Sequence, residues 1–115
     1  MKTTQKDFEF FKKECQKWID KLKLDNWNFN FWHKDLKGSN ADCRNNLNSY
    51  VCDITLDTKI ETDKPIEEEL KRIAKHEIIH TLLARLSING SIRHIGKEEL
   101  EECEEELVRK LEKLL

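Results

Sequence analysis

The feature that most constrains the fold is a run between Glu69 and Leu86 that is apolar on nearly every side of a helix. Leu70, Ile73, Ala74, Ile78, Ile79, Leu82, Leu83, Ala84 and Leu86 leave it no continuous polar face. A helix of this kind belongs at the centre of a domain. Asp63-Lys64-Pro65 opens it, with Asp63 or Lys64 near the cap position and Pro65 in the first turn. Glu67, Glu68 and Glu69 suit the positive end of the helix dipole. The helix is expected to end near Ser87, with Asn89-Gly90 as the break. His76, Glu77 and His80 stand inside this run, where an unpaired polar group is costly.

The flanking segments supply the layers that a central helix needs. Thr4 followed three residues later by Asp7 resembles a capping box. Phe8, Phe11, Cys15, Trp18, Ile19 and Leu22 then recur at helical spacing, which predicts a first helix from about Gln5 to Lys23. The period changes to two in Trp27-Asn28-Phe29-Asn30-Phe31 and again through Tyr50, Cys52, Ile54 and Leu56. Lys37-Gly38-Ser39-Asn40 reads as a turn, and Ala41 to Asn46 as a short additional strand, so the segment is expected to form a small antiparallel sheet. A last helix follows Gly96, with the seam Leu100, Cys103, Leu107, Leu111 and Leu114. Trp18, Trp27 and Trp32 read as core together with the phenylalanines. Trp32 lies on the opposite strand face from Trp27 and Phe31, as a residue lining a groove would. With 115 residues the chain fits one domain, 1–115, of α+β class: N-terminal helix, small antiparallel sheet, central helix and C-terminal helix.

Composition narrows the partners. A net charge of −2 offers no electrostatic case for nucleic acid. No run approaches the roughly 20 apolar residues of a membrane span. The N-terminal stretch lacks an apolar segment followed by small residues, so it does not read as a secretory signal. Cys15, Cys43, Cys52 and Cys103 show no C-x-x-C spacing and are expected as reduced thiols in a cytoplasmic protein.

The chemistry is carried by His76-Glu77-Ile78-Ile79-His80. Histidines four residues apart on a helix project from one face, so both imidazoles can reach one zinc ion at about 2.0–2.1 Å. Glu77 is then placed to contact a metal-bound water without being a ligand. H-E-x-x-H is the general metallopeptidase signature, with the glutamate as general base. A catalytic zinc takes a third protein ligand and keeps a position for water. Leu83 and Leu86 stand where a metzincin would place Gly and His. Two candidates remain. Glu104 falls three, four and seven residues before Leu107, Val108 and Leu111 and is expected to point inward, whereas Glu105 and Glu106 are expected to face water. His94 lies in the loop between the helices. Tyr50 and His94 are also candidates to assist an oxyanion.

From Leu24-Asp25-Asn26-Trp27 through the final leucines the chain resembles small phage and prophage metallopeptidases of the SprT-like kind. The matching segments are His76-Glu77-Ile78-Ile79-His80-Thr81-Leu82-Leu83 and Glu101-Glu102-Cys103-Glu104-Glu105-Glu106-Leu107-Val108-Arg109-Lys110-Leu111-Glu112. The resemblance implies a minimal zincin with zinc held by His76 and His80, and Glu77 as base. It also implies a late-helix glutamate as third ligand, gluzincin-like, which falls on Glu104. The SprT and Spartan type instead uses a later histidine followed by Gly-Pro. Here His94 is followed by Ile95-Gly96, a departure from that pattern. The expectation is a cytoplasmic zinc peptidase (host cytoplasm if phage-encoded) acting on a peptide or protein substrate. The alternative is a zinc-binding, non-catalytic protein-interaction module of phage or prophage origin. A repressor-cleaving peptidase would call for a helix-turn-helix, and the sequence carries none.

Overall fold

The computed structural model describes residues 1–91 and 96–115. The chain enters its first helix, α1 (Gln5–Lys21), through the capping box. The Asp7 amide donates to Thr4 Oγ1 at 3.1 Å, and the Thr4 amide to Asp7 Oδ2 at 2.9 Å. Phe8, Phe11, Cys15, Trp18 and Ile19 form its buried stripe. The helix stops two residues short of the expected Lys23, because Lys23 turns left-handed with φ 56°. The Lys23 amide then donates to Asp20 O, and the Leu24 amide reaches back to Ile19 O at 3.0 Å. This is a Schellman stop built without glycine. Burial of Leu24 and Ile19 offsets the roughly 1–2 kcal/mol that a left-handed L-residue costs.

Three strands follow: β1 (Asn28–His33), β2 (Ala41–Asn46) and β3 (Val51–Leu56). The sheet order is β1-β3-β2. In the central β3, burial alternates with the pleat, and Cys52, Ile54 and Leu56 are completely buried. β2 and β3 pair antiparallel, with Cys43 opposite Ile54 and Asn45 opposite Cys52. β1 pairs with β3 in parallel, so the sheet is mixed rather than antiparallel throughout. Residues 34–40 carry the chain past the end of β3 to the far edge, and the tight return from β2 then drops β3 into the middle slot. Alternation along a strand reports which face is buried and says nothing about the direction of its neighbour.

The apolar run forms α2 (Ile66–Leu82), capped at Leu83, and a separate α3 (Ala84–Ser91). The expected single helix is therefore two, and Asn89 and Gly90 lie within α3 rather than ending a helix. Leu70, Ala74, Ile78 and Ile79 are fully buried, and α1, β3 and α2 share one apolar core. The last helix, α4 (Lys97–Leu114), meets α2 with a face other than the leucine seam. Among the described residues of α4 Val108 is fully buried, while Cys103 and Leu107 are exposed. The leucine side of α4 instead flanks α3, where Leu83, Leu86, Leu100 and Leu107 line a small apolar cleft. Trp18 and Trp27 are buried. Trp32 is 44% exposed and donates its indole N–H to Asp53. Among the described residues no helix is long and apolar enough to cross a membrane.

Candidate metal centre

Four residues make slightly more than one helical turn, so α2 presents His76 and His80 side by side. Their rings meet edge to face with centroids 4.9 Å apart, and their Nε2 atoms are 3.3 Å apart. α4 crosses this face and brings Glu105 Oε1 to 2.9 Å from His76 Nε2 and 3.2 Å from His80 Nε2. Ligand atoms of His76, His80 and Glu105 thus converge within 4.8 Å of one another, a group that could hold a metal ion. Tetrahedral zinc with bonds of about 2.0–2.1 Å separates its ligand atoms by roughly 3.3 Å. The three observed separations lie near that value.

The outer nitrogens of both rings are occupied by carboxylates. His76 Nδ1 lies 2.6 Å from Glu112 Oε2, and His80 Nδ1 lies 3.3 Å from Glu104 Oε1. Each carboxylate favours the tautomer with its proton on Nδ1, which leaves the Nε2 lone pair aimed at the centre. Glu104 is itself held by the Ser87 hydroxyl at 3.0 Å. Glu112 is flanked by Arg72, whose guanidinium lies 3.8 Å from Oε1, and Lys75 donates to the Glu112 carbonyl at 2.6 Å.

Glu77 completes the arrangement. It is 6% exposed, and its Oε2 is buried without a hydrogen-bond partner. A buried carboxylate oxygen left unpaired is costly, and such exceptions concentrate where an ion, a water or a reaction supplies the partner. Burial pushes the Glu77 pKa from 4.5 up to about 6, against the opposing pull of the His80 and His76 charges. For His80, burial works against the charged form. The Glu104 hydrogen bond and the nearby Glu77 and Glu105 charges outweigh it and raise the pKa. Burial likewise works to raise Glu104, but its bonds to His80 and Ser87 prevail and hold it low. The donor set of two imidazoles and a carboxylate, together with the unpaired Glu77 oxygen, fits a zinc ion.

Of the residues singled out from the sequence, His76, Glu77 and His80 come together here. Glu104 lies beside them, half-buried as expected, but against the outer nitrogen of His80. Glu105, expected to face water, supplies the converging oxygen. The cause is the rotation of α4: residues 104, 105, 108 and 112 share the side facing α2, so its polar face and not its leucines meets the histidines. Glu112 shares that side of α4, which the leucine period does not mark. Its spacing of four from Val108 and eight from Glu104 was the available signal. Tyr50 packs on Trp27 with ring centroids 5.1 Å apart and does not line the cavities around the histidines. His94 lies outside the described residues.

The centre opens onto a cleft between α2 and β2, an edge strand of the sheet. On the His76 side a cavity of about 320 Å³ is lined by Asn40, Ala41, Glu77, Glu105 and Arg109 among others. On the His80 side a smaller one, about 170 Å³, is bounded by Cys43, Asn45, Ala84, Ile88 and Glu104. Comparison of the chain with protein-family models, curated proteins and solved structures gives no match.

Proposed function

We propose that this protein is a zinc-dependent metallopeptidase of minimal zincin architecture, with His76, His80 and Glu105 as metal ligands and Glu77 as general base. The observation that carries the reading is the convergence of two Nε2 atoms and one carboxylate oxygen beside the unpaired oxygen of Glu77. Three protein ligands among the described residues match a catalytic site, which keeps a position open, better than a closed structural one. When bound, zinc would polarise a carbonyl and lower the pKa of water toward about 7. Glu77, with a pKa near 6, is poised to accept a proton at neutral pH and to release it to a departing amine. Glu104 and Glu112 act behind the ligands, holding each imidazole in orientation. The outer edge of β2, unpaired with any strand among the described residues, is placed to hold an extended peptide by main-chain hydrogen bonds. The likeness to SprT-like phage and prophage peptidases and a cytoplasmic setting belong to this same reading.

The test is zinc stoichiometry and peptidase activity in parallel. Wild type is expected to carry about one zinc per chain by ICP-MS, lost in Glu105→Ala and in His76→Ala. Glu104→Ala should keep the ion with weakened affinity. The reverse pattern, with loss in Glu104→Ala and retention in Glu105→Ala, would make Glu104 the ligand. Glu77→Gln should retain zinc and abolish hydrolysis of a labelled casein substrate. Wild type that binds zinc but hydrolyses nothing would leave a zinc-binding interaction module, and wild type that takes up no zinc would end the metallopeptidase reading.

A further inference from the structure

The two halves of the cleft differ in charge. On the His76 side, Arg109 reaches into the cavity from α4, one helical turn beyond Glu105 and on the same face. Arg109 is exposed and makes no ion pair or hydrogen bond among the described residues, although α4 is rich in glutamates. Arg72 lines the same cavity but is already committed, with its Nε 2.8 Å from Glu69 Oε1 and its guanidinium beside Glu112. Arg72 also borders an adjoining groove of about 590 Å³, where Lys71, Lys75 and Lys113 add further positive charge. Among the described residues the His80 side has no lysine or arginine in its lining, and Glu104 borders it instead. Ala84 and Ile88 face Cys43 and Asn45 there. α2 and β2 run alongside each other, with His76 near Ala41 and His80 near Cys43 and Asn45. An extended chain laid along β2 would therefore pass from the half that carries Arg109 to the half that carries Glu104 within about one helical turn, roughly 6 Å along α2.

Resting on the peptidase reading, we infer that the substrate is a protein segment with an acidic residue on the His76 side of the centre and small or apolar residues on the His80 side, and that Arg109 selects for it. An uncommitted guanidinium next to a ligand-bearing helix face is a ready partner for a carboxylate, which it can hold through two parallel N–H bonds. Arg72 cannot serve as well, because Glu69 and Glu112 already neutralise it. Lys71, Lys75 and Lys113 extend the positive potential outward and would favour a substrate whose acidic character continues beyond the first residue.

The test uses the Glu77→Gln protein, zinc-loaded and metal-free, so that binding is read without turnover. Three fluorescein-labelled octapeptides of alanine, serine and leucine are titrated by anisotropy. One carries Asp-Glu in its first half, one carries it in its second half, and one has Asn-Gln in both halves. One acidic peptide should bind about tenfold tighter than the neutral one. That advantage should vanish when Arg109→Glu is added, survive in part in Arg109→Lys, and shrink as salt rises from 50 to about 500 mM. Equal binding of all three peptides, binding of none, or an acidic preference that persists in Arg109→Glu would overturn the inference. Failure of the peptidase reading shows separately, as wild type that takes up no zinc or cleaves no substrate. The binding comparison is informative in either case, because it is also made on metal-free protein.

Discussion

The two sides of α2 are held by different physics. Toward α1 and the sheet the contact is largely apolar: Phe11, Cys15, Leu70, Ala74 and Ile78 are all fully buried, and the buried Thr81 hydroxyl donates to Asn45 of β2 at 3.0 Å. Toward α4 it consists of imidazoles and carboxylates, His76 with Glu105 and Glu112, and His80 with Glu104 and Glu105, around the fully buried Val108. The first side takes its stability from area removed from water, which is indifferent to pH and metal. The second depends on protonation, on hydrogen bonds and, under the proposed function, on an ion shared between two helices. One helix thus serves as both the floor of the core and the wall of a site.

Substitution separates the two sides most sharply. Phe11→Ala should cost about 3–5 kcal/mol in urea unfolding, a large part of the stability of a domain this size. Val108→Ala, a smaller cut at the one residue of α4 fully buried among those described, should cost roughly 1.5 kcal/mol. Equal losses would mean that α4 is packed as tightly as α1 and would erase the contrast.

A smaller effect sharpens the view of the polar side. Glu112→Gln keeps the shape of the side chain but weakens its hold on His76 Nδ1, 2.6 Å away. Zinc affinity in competition with a chelator should fall about 10- to 100-fold, or roughly 1.4–2.7 kcal/mol, with unfolding of the metal-free protein little changed. Unaltered affinity would show that Glu112 does not orient the ring.

The third effect is of similar or smaller size and concerns pH in metal-free protein. The folded pKa of Glu77 lies above its ordinary 4.5, at about 6, so the folded state binds the proton more tightly than the unfolded chain does. Its contribution is therefore neutral below pH 4.5 and becomes a growing cost as pH rises to 6. Above that it levels at up to about 2 kcal/mol. In EDTA, the stability advantage of Glu77→Gln over wild type should grow across this interval. A difference independent of pH would show that Glu77 is not a buried, poorly solvated acid.

How much of this was legible in the chain depends on the range of the interactions. The capping box at Thr4, the α1 stripe, the short strand Ala41–Asn46 and the adjacency of His76, Glu77 and His80 all arise within a few residues, so the periods of helix and strand expose them. The α+β class follows from their order. The parallel pairing of β1, the break at Leu83 and the rotation of α4 are not local. Periodicity assigned α4 its leucine seam as the inward face, yet that seam flanks α3, and the side carrying Glu104, Glu105, Val108 and Glu112 meets α2. The sequence by itself determined which chemistry could be assembled, because two histidines and a glutamate at helical spacing must share a neighbourhood. Only the tertiary structure decided which carboxylates join them and in which role. A helix can bury any of several faces at similar cost, and its partner's imidazoles, invisible in its own periodicity, select among them.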